Sequence, residues 1–233
     1  DKKPTSIEIP TTVKTLGNFA FTQCVAITSA DVGENLEKIS DGAFKDCIAL
    51  TTINTGGTTS IGANAFENCT ALVNINYSPS LSSIGAYSFS GCTGLVNITI
   101  PNSVTYIGDY AYANCSNLSN FALPSQINSI GAYAFNNCAK LTALDLNHES
   151  LWSIGNGALS GCSSIKTAVI PKNIKTVNES MFAGCSSLES ITFGENVTVI
   201  SAGAFSGCSS LKTITLPDKV TTIADNLFKD CTS

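Results

Sequence analysis

The sequence predicts an α/β repeat fold, a solenoid in which about ten units of 23 residues stack on one another. Three observations lead to this prediction. A large apolar residue stands three positions before each cysteine, and an alternating apolar pattern begins six positions after most of them. A fixed period of this length is typical of stacked repeat proteins. The cysteines themselves recur every 22 to 24 residues, at positions 24, 47, 69, 92, 115, 138, 162, 185, 208 and 231.

The first element of each unit is predicted to be a short β-strand. Its apolar residues lie six and eight positions after the cysteine, as in Ile98 and Ile100 or Ile214 and Leu216. Alternation with a period of two is typical of a strand with one buried face. Proline cannot donate a hydrogen bond to a strand ladder, so it suits the end of such a strand. It stands directly after the pattern at Pro10, Pro101, Pro124, Pro171 and Pro217.

The second element is predicted to be a tight helical turn. In the stretch Ala-Phe-x-x-Cys-x-x-Leu, apolar side chains stand at positions i, i+1, i+4 and i+7. This spacing matches about two turns of helix, or a 3₁₀ equivalent. Glycines stand shortly before the stretch and are expected to permit the sharp turn into it. They are Gly62, Gly85, Gly108, Gly131 and Gly155.

Composition argues against several classes of protein. Charged residues make up 12% of the chain and hydrophobic residues 43%, which is unlike a disordered segment. The 12 basic residues are all lysine and face 17 acidic residues, for a net charge of −5. No basic face is visible, so nucleic acid is not an expected partner. No apolar run approaches the roughly 18–20 residues of a membrane span.

The full unit can be written C-x-x-L-x-x-I-x-I-P-x-x-V-x-x-I-G-x-x-A-F-x-x-C, and nearly the whole chain follows it. Repeats ending at Cys92, Cys115, Cys138 and Cys208 fit best, whereas the repeat ending at Cys162 carries an extra residue. The motif is similar to the BspA-like, Treponema-type class of leucine-rich repeats. The resemblance implies a parallel β-sheet on the concave face, with short strands or helical turns on the convex side. It also implies a secreted or surface-anchored protein of a host-associated microbe that adheres to host or matrix proteins.

The ten cysteines have two interpretations, a set of disulfides or a metal site on one hand, and a column of buried thiols on the other. Side chains in one column of a stacked repeat point inward in parallel, which is a poor geometry for disulfides. The close cysteine pairs of a zinc site are absent from the sequence. A small apolar thiol packs well in a core. We therefore expect free, buried cysteines, and predict neither a metal nor a cofactor.

The strand positions five and seven after each cysteine are candidates for partner binding. Their side chains are expected to point away from the core, because neighbouring strand residues alternate between two faces. Asparagine and threonine in these rows could hydrogen-bond a protein or a glycan. Alternatively, they are the β-compatible, soluble residues of an ordinary solvated sheet. The candidates are Asn74, Asn76, Asn97, Thr99, Asn120, Thr167, Thr192 and Thr215.

A second candidate is aromatic. Tyr87, Tyr110 and Tyr133 stand five positions before the cysteine in three successive units, so their rings should stack in a row, and Trp152 lies near the same middle units. Amphipathic aromatic residues are enriched at interfaces. The row is therefore either a recognition patch away from the concave face, or a packing ladder that covers the convex side.

Catalytic motifs are missing from the sequence. The single histidine, His148, follows a predicted strand in a loop, and no nucleophile elbow, phosphate-binding glycine loop or zinc-protease motif occurs. We therefore expect a non-enzymatic binding module, an extracellular or cell-surface adhesin-type protein that recognises a protein or glycan. A structural stalk, or an intracellular interaction scaffold, remains open.

Residues 1–233 are predicted to form one repeat domain. The chain starts inside a unit, at Ile7-Glu8-Ile9-Pro10, and stops shortly after Cys231. Terminal units of a solenoid normally carry a polar capping module, and none is visible. We therefore expect the chain to be a fragment of a longer protein.

Overall fold

The computed structural model describes residues 4–233, which form a solenoid of parallel β-strands. Among these residues there are sixteen short strands and no helix. The strands are β1 Ser6–Glu8, β2 Ser29–Asp31, β3 Lys38–Ile39, β4 Thr52–Asn54, β5 Ser60–Ile61, β6 Asn74–Asn76, β7 Ser83–Ile84, β8 Asn97–Thr99, β9 Tyr106–Ile107, β10 Asn120–Ala122, β11 Ser129–Ile130, β12 Ser153–Ile154, β13 Thr167–Ile170, β14 Thr176–Val177, β15 Ser190–Phe193 and β16 Val199–Ile200.

The longer strands confirm the element predicted after each cysteine. They pair in parallel as β1-β2-β4-β6, β8-β10 and β13-β15. Equivalent residues of successive units lie side by side, as Ile53 does with Ile75 and Ile98 with Phe121. We call this set the strand ladder and its solvent side the strand face. The ladder is interrupted, because β6 and β8 do not pair and residues 143–146 form no strand.

The two-residue strands form a second parallel ladder on another side of each unit. It runs without a break through β3-β5-β7-β9-β11-β12, and continues separately as β14-β16. Its buried residue is the isoleucine eight positions before the cysteine, as at Ile84 and Ile107. We call this set the short-strand ladder.

The stretch predicted to be helical forms a third ladder instead. Three backbone amides in each unit, at five, three and one positions before the cysteine, donate to carbonyls of the next unit. Tyr87, Phe89 and Gly91, for example, donate across 2.8 Å to Asp109, Ala111 and Ala113. These bonds recur at all nine junctions between the ten cysteine-containing turns. We call this set the turn ladder, and it is the one ladder without an interruption.

Two positions in each turn explain why no helix forms. The residues five positions and one position before every cysteine have positive φ, between 54° and 74°. An α-helix requires negative φ at every residue, and here the reversed peptide groups point their amides at the neighbouring unit. Bonds such as Cys92 N to Phe89 O, at 3.1 Å, keep the tight spacing of a 3₁₀ turn within the unit.

Glycine seven positions before the cysteine has a different role from the one expected. Gly131 does not have positive φ, so conformational freedom is not what it supplies. A Cβ at this position would lie 2.4 Å from the backbone nitrogen of Asp109 in the preceding unit. The missing side chain lets Gly131 N donate to Ile107 O across 2.8 Å. Glycine therefore allows the units to approach closely at the short-strand ladder.

The units that lack this glycine support that explanation. Asn178 stands in its column, and the short-strand ladder stops there, between β12 and β14. The Asn178 side-chain amide, rather than the backbone amide, donates to Ile154 O, at 2.5 Å. Ser40 donates its hydroxyl to Leu16 O in the same way, at 2.6 Å. Ser201 is an exception, since its backbone amide still reaches Val177 O at 2.9 Å.

Aromatic rings fill the core in a continuous stack. The residue three positions before the cysteine is fully buried in most units, and successive rings lie face to face with centroids 5.2–5.8 Å apart. Leu159 interrupts the stack in the unit with the extra residue. Offset stacking of this kind adds to the hydrophobic gain of burial. The stack runs through Phe21, Phe44, Phe66, Phe89, Tyr112 and Phe135, and resumes with Phe182, Phe205 and Phe228.

The cysteines beside this stack are free thiols, as expected. Eight are buried, and those of the terminal units, Cys24 and Cys231, are partly exposed. Each thiol from Cys47 onward donates to the carbonyl of the core residue three positions before the preceding cysteine, at 3.0–3.2 Å. The position therefore favours a small apolar side chain that still carries a weak donor. Burial raises the pKa of Cys115 and Cys208 to about 12.

The burial of the thiols predicts their reactivity. In the folded protein we expect a maleimide reagent to label at most Cys24 and Cys231, and the other eight cysteines only after unfolding. A change from about pH 7 to about pH 9 should not release them, because a raised pKa leaves the thiol protonated and unreactive. Mass spectrometry of labelled protein, with and without denaturant, counts the modified thiols. Labelling of more than two thiols without denaturant would contradict the prediction.

Two tyrosines depart together from the repeat pattern. Tyr112 replaces phenylalanine in the core stack, and Tyr77 replaces the apolar residue at the end of the strand pattern in the preceding unit. Their hydroxyls lie 3.3 Å apart, and Tyr112 is fully buried. A buried hydroxyl without a partner is costly. The hydroxyl groups of the two tyrosines therefore satisfy each other's hydrogen-bonding requirement.

A double-mutant cycle tests this pairing. We expect Tyr112→Phe to lower the free energy of unfolding by about 1–2 kcal/mol, because it leaves the Tyr77 hydroxyl without its partner. Tyr77→Phe should have a similar effect. The double variant should lose less than the sum of the two, which urea denaturation can measure. Strict additivity would mean that the hydroxyls do not interact.

Candidate functional site

The asparagine and threonine candidates of the middle units lie exposed on the strand face. Asn74 and Asn76 are on β6, Asn97 and Thr99 on β8, and Asn120 on β10. The residues between them on these strands point inward and are buried or half-buried. The alternation predicted from the sequence is thus present at each of these positions.

Side-chain amides connect neighbouring strands across this face. Asn120 Nδ2 donates to Asn97 Oδ1 at 2.7 Å, and the two residues are register partners in the β8-β10 pair. Asn76 Nδ2 donates to Asn54 Oδ1 at 3.2 Å. These bonds orient the amides, and they use one donor or one acceptor of each.

Two adjoining depressions bring these residues together. One lies between β6 and β8, where the strand ladder is interrupted, and has a volume of about 300 Å³. The other begins at β8 and extends past β10 to residues 143–145, with a volume of about 310 Å³. Both include Asn97, Ile98 and Thr99. We call the combined feature the amide groove, lined by Asn74, Asn76, Asn97, Thr99, Asn120 and, at its far end, Asp145.

The threonine candidates of the later units form a separate group. Thr167 lies on β13, and Thr192 lies on β15 in register with Val169. Thr215 belongs to residues 213–216, which form no strand. A wider depression of about 660 Å³ contains both Thr192 and Thr215.

The three tyrosines stack as the sequence predicted, on the turn ladder and away from the strand face. Ring centroids are 4.7 Å apart between Tyr87 and Tyr110, and 4.9 Å apart between Tyr110 and Tyr133. A Cβ on Gly157 would lie 2.2 Å from the Tyr133 ring, so that ring covers the next unit. Tyr87 is 38% exposed. Burial raises the pKa of Tyr110, and the flanking phenols add to the shift.

The backbone of these tyrosines is unusual. All three have φ between 54° and 56°, the left-handed region that glycine and asparagine adopt with least strain. Holding another residue there costs on the order of 1–3 kcal/mol. Other units have Gly42, Asn64 or Gly203 in the same column. Ring stacking offsets part of this cost.

Trp152 is exposed elsewhere on the molecule. Its side chain is 67% exposed and immediately precedes β12 in the short-strand ladder. It borders a depression that also includes Asn173 and Lys175. No aromatic contact within residues 4–233 joins it to the tyrosine row. The candidates therefore occupy different sides of the solenoid rather than one site.

The distribution of charge along the chain is uneven. From Asn68 to Ala139 the only charged residue is Asp109. We call residues 68–139 the uncharged belt. It carries most of the amide groove and all three stacked tyrosines. The lack of charge in this segment can be recognised from the sequence, but its bearing on ligand binding depends on which of these residues face solvent.

Neither a cluster of metal-ligating side chains nor a membrane-crossing helix is found in the described part of the chain. No group of three or more histidine, cysteine, aspartate or glutamate side chains within residues 4–233 could hold a metal ion. None of the secondary structure in that range is a helix able to cross a membrane.

Parallel strand ladders, a stacked core and binding candidates on the outer surface define a repeat scaffold of the protein-interaction class. The family model described as BspA type Leucine rich repeat region matches residues 1–119 and 106–233. The chain therefore belongs to the BspA-type leucine-rich repeat family.

Solved structures agree with this fold. A leucine-rich repeat protein of T. pallidum is 29% identical with a TM-score of 0.67, over 70% of this chain and 79% of that one. A leucine-rich repeat protein of Bacteroides ovatus is 24% identical with a TM-score of 0.59, over 97% and 76%. A leucine rich cell surface protein of Faecalibacterium prausnitzii is also 24% identical, with a TM-score of 0.56, over 99% and 86%. A search of curated proteins finds no match.

Proposed function

We propose that this protein is a non-enzymatic binding module of the adhesin type, displayed at the cell surface or secreted, which recognises a host or matrix protein or glycan. The observation that carries the proposal is the strand face of the middle units. There, rows of uncharged hydrogen-bonding side chains are exposed and held in register by the strands behind them. A rigid scaffold that orients exposed polar groups suits recognition.

The chemistry of the chain favours binding over catalysis. Catalytic sites group titratable residues in a cleft, where their pKa values are shifted. Here the large shifts belong to buried cysteines and to the Tyr77–Tyr112 pair, which are part of the core. The amide groove contains a single carboxylate, Asp145, rather than the paired acid and base of a catalytic site.

The cell-surface assignment rests on family likeness. The F. prausnitzii relative is a leucine rich cell surface protein, and a module at the surface of a microbe would meet host and matrix molecules directly. The alternatives are a stalk without a ligand and an intracellular interaction scaffold. That residues 1–233 are one domain of a longer protein stays a prediction.

An array experiment tests the proposal. The purified chain is applied to immobilised matrix proteins and to neutral and anionic glycans, and hits are titrated by surface plasmon resonance. We expect saturable binding to at least one matrix protein or glycan. Binding to none of them would favour the stalk and contradict the proposal.

Variants of the two candidate surfaces show which one binds. One replaces Asn97 and Asn120 of the groove with alanine. The other replaces Tyr87, Tyr110 and Tyr133 with asparagine, which tolerates positive φ and already occupies the same column at Asn64 and Asn226. If the strand face binds, the first variant should lose affinity and the second should keep it. The opposite pattern would assign recognition to the tyrosine row.

A further inference from the structure

The amide groove has unused hydrogen-bonding capacity of both kinds. Asn97 Nδ2, Asn120 Oδ1 and the Thr99 hydroxyl have no hydrogen-bond partner among residues 4–233, and neither has the side chain of Asn74. Each primary amide carries two donors and an acceptor with two lone pairs. A ligand rich in hydroxyl groups, which both donate and accept, would satisfy this mixed set.

The scarcity of charged side chains around the groove argues against recognition of a ligand through ion pairs. The uncharged belt contains no lysine or arginine, so it offers nothing to pair with sulfate, phosphate or carboxylate groups. A cationic ligand would find a single carboxylate in the groove, Asp145 at its far end. The groove is therefore suited to a neutral ligand.

The composition of the groove differs from that of a protein interface. Protein interfaces concentrate their binding energy in tryptophan, tyrosine and arginine. The exposed residues of the groove are asparagine, threonine, alanine, Val73 and Asp145, and its one tyrosine, Tyr77, is half-buried. Ile98 and Phe121 lie at its floor and are nearly buried. Short polar groups above an apolar floor match the hydroxyls and the CH surfaces of a sugar.

The repeat also has a suitable spacing. Asn97 and Asn120 are register partners on paired parallel strands, which lie about 4.7–4.9 Å apart. This is close to the length of one pyranose residue in an extended chain. A linear glycan lying along the solenoid axis would therefore present equivalent hydroxyls to successive asparagines.

We propose that the amide groove binds a linear neutral glycan, in which successive sugar residues hydrogen-bond Asn97, Asn120 and the flanking Asn74 and Thr99. The inference rests on the proposed binding function and narrows its ligand to one chemical class. A protein ligand, or an anionic glycan, is then an outcome of the test rather than part of the proposal.

The experiment uses neutral polysaccharides as probes. The whole chain is titrated by calorimetry with soluble glucans, mannans and galactans, with heparin as the anionic comparison and fibronectin as the protein comparison. We expect at least one neutral glycan to bind, and its affinity to change less than about twofold when salt rises from about 0.05 to 0.5 M, because no ion pair forms. Heparin should not bind.

A pair of variants ties the binding to the groove. Asn97→Ala with Asn120→Ala should weaken glycan binding by about tenfold or more, since several hydrogen bonds are lost. The matched control is Ser83→Ala with Ser129→Ala, which removes two polar side chains from the short-strand ladder of the same belt. The control should bind as the parent protein does. Unfolding midpoints of both variants check that the fold is retained.

The other outcomes separate this inference from the proposed function. Binding of fibronectin alone would overturn the glycan inference and leave the adhesin function in place. Binding of heparin that weakens as salt rises would overturn the neutral-ligand inference. Neutral glycan binding that survives the asparagine changes would show that the groove is not the site. Binding of no probe would count against both the inference and the function.

Discussion

Gly131→Ala is expected to lower the free energy of unfolding by about 2–4 kcal/mol, one of the two largest effects predicted for a single substitution. The new methyl group would lie 2.4 Å from the backbone nitrogen of Asp109 and 2.5 Å from the carbonyl carbon of Gly108. Backbone atoms cannot rotate out of the way, so the two units must separate. Overpacking of this kind costs about 1–3 kcal/mol, and the lost hydrogen bond to Ile107 O adds about 1 kcal/mol.

The chain provides a matched control in the same column. Gly17 also stands seven positions before its cysteine, but no atom lies within 4 Å of where its Cβ would be. Gly17→Ala should therefore leave stability unchanged or raise it slightly, because alanine restricts the unfolded chain. Urea denaturation of both variants measures the difference. Equal losses would mean that close packing between units is not the reason for glycine in this column.

Phe89→Ala is the second large prediction, with an expected loss of about 3–5 kcal/mol. Phe89 is fully buried, and its ring stacks at 5.2 Å on both Phe66 and Tyr112. Tyr77 also packs edge-on against it, at 6.3 Å. Removing the ring leaves a cavity in the middle of the stack, and both neighbours lose a partner. The effect combines lost burial with lost contacts across two junctions.

Unfolding of the Phe89→Ala variant should also become less cooperative. Solenoids are stabilised largely by contacts between neighbouring units, so a defect in one unit can separate the units on either side. We expect hydrogen exchange to accelerate first in the units around Phe89. Phe19→Ala is the control, because Phe19 is 52% exposed at the first turn and its loss should cost less than about 1 kcal/mol. A comparable loss from both would contradict the importance of the internal stack.

The sequence predicts the period, the strands and the buried columns because each depends on a repeated side-chain property. Residues such as Ile98, Phe89 and Cys115 are apolar in a fixed register, and the structure buries them accordingly. The thiols remain unpaired, as the parallel orientation of one column predicts. Properties of side chains that repeat in every unit can be recognised from the sequence alone.

The turn ladder was not predicted, because it depends on backbone torsion. A 3.6-residue pattern of apolar side chains is compatible with a helix, and it is equally satisfied by turns with two positive φ values. The column one position before the cysteine holds Asn68, Gly91 and Asn114, residues that tolerate such torsions. The same torsion five positions before the cysteine was not recognisable, because Tyr87 and Tyr110 stand there and tyrosine rarely adopts positive φ.

The sequence predicts which residues of the candidate binding surface are exposed, but not that they line a groove. Alternation along β6 and β8 identifies Asn74 and Thr99 as exposed. Which strands pair is set by small differences in spacing between units, and the interruption between β6 and β8 has no counterpart in the consensus. The composition of the strand face is therefore predictable from the sequence, whereas the shape of the groove depends on which strands pair.

The uninterrupted turn ladder also determines how the molecule bends. Between the unit ending at Cys162 and the next, the strand ladder, the short-strand ladder and the ring stack are all interrupted. There the backbone-to-backbone bonds are the three of the turn ladder, such as Leu159 N to Met181 O, and away from this ladder the side chains of Asn178 and Asn173 add bonds to Ile154 O and Glu149 O. Under lateral load the solenoid should bend at this junction, with the turn ladder acting as the hinge. The segments on either side should tilt as rigid bodies. This junction therefore sets the direction of greatest compliance, so a ligand that spans it would restrain the bending.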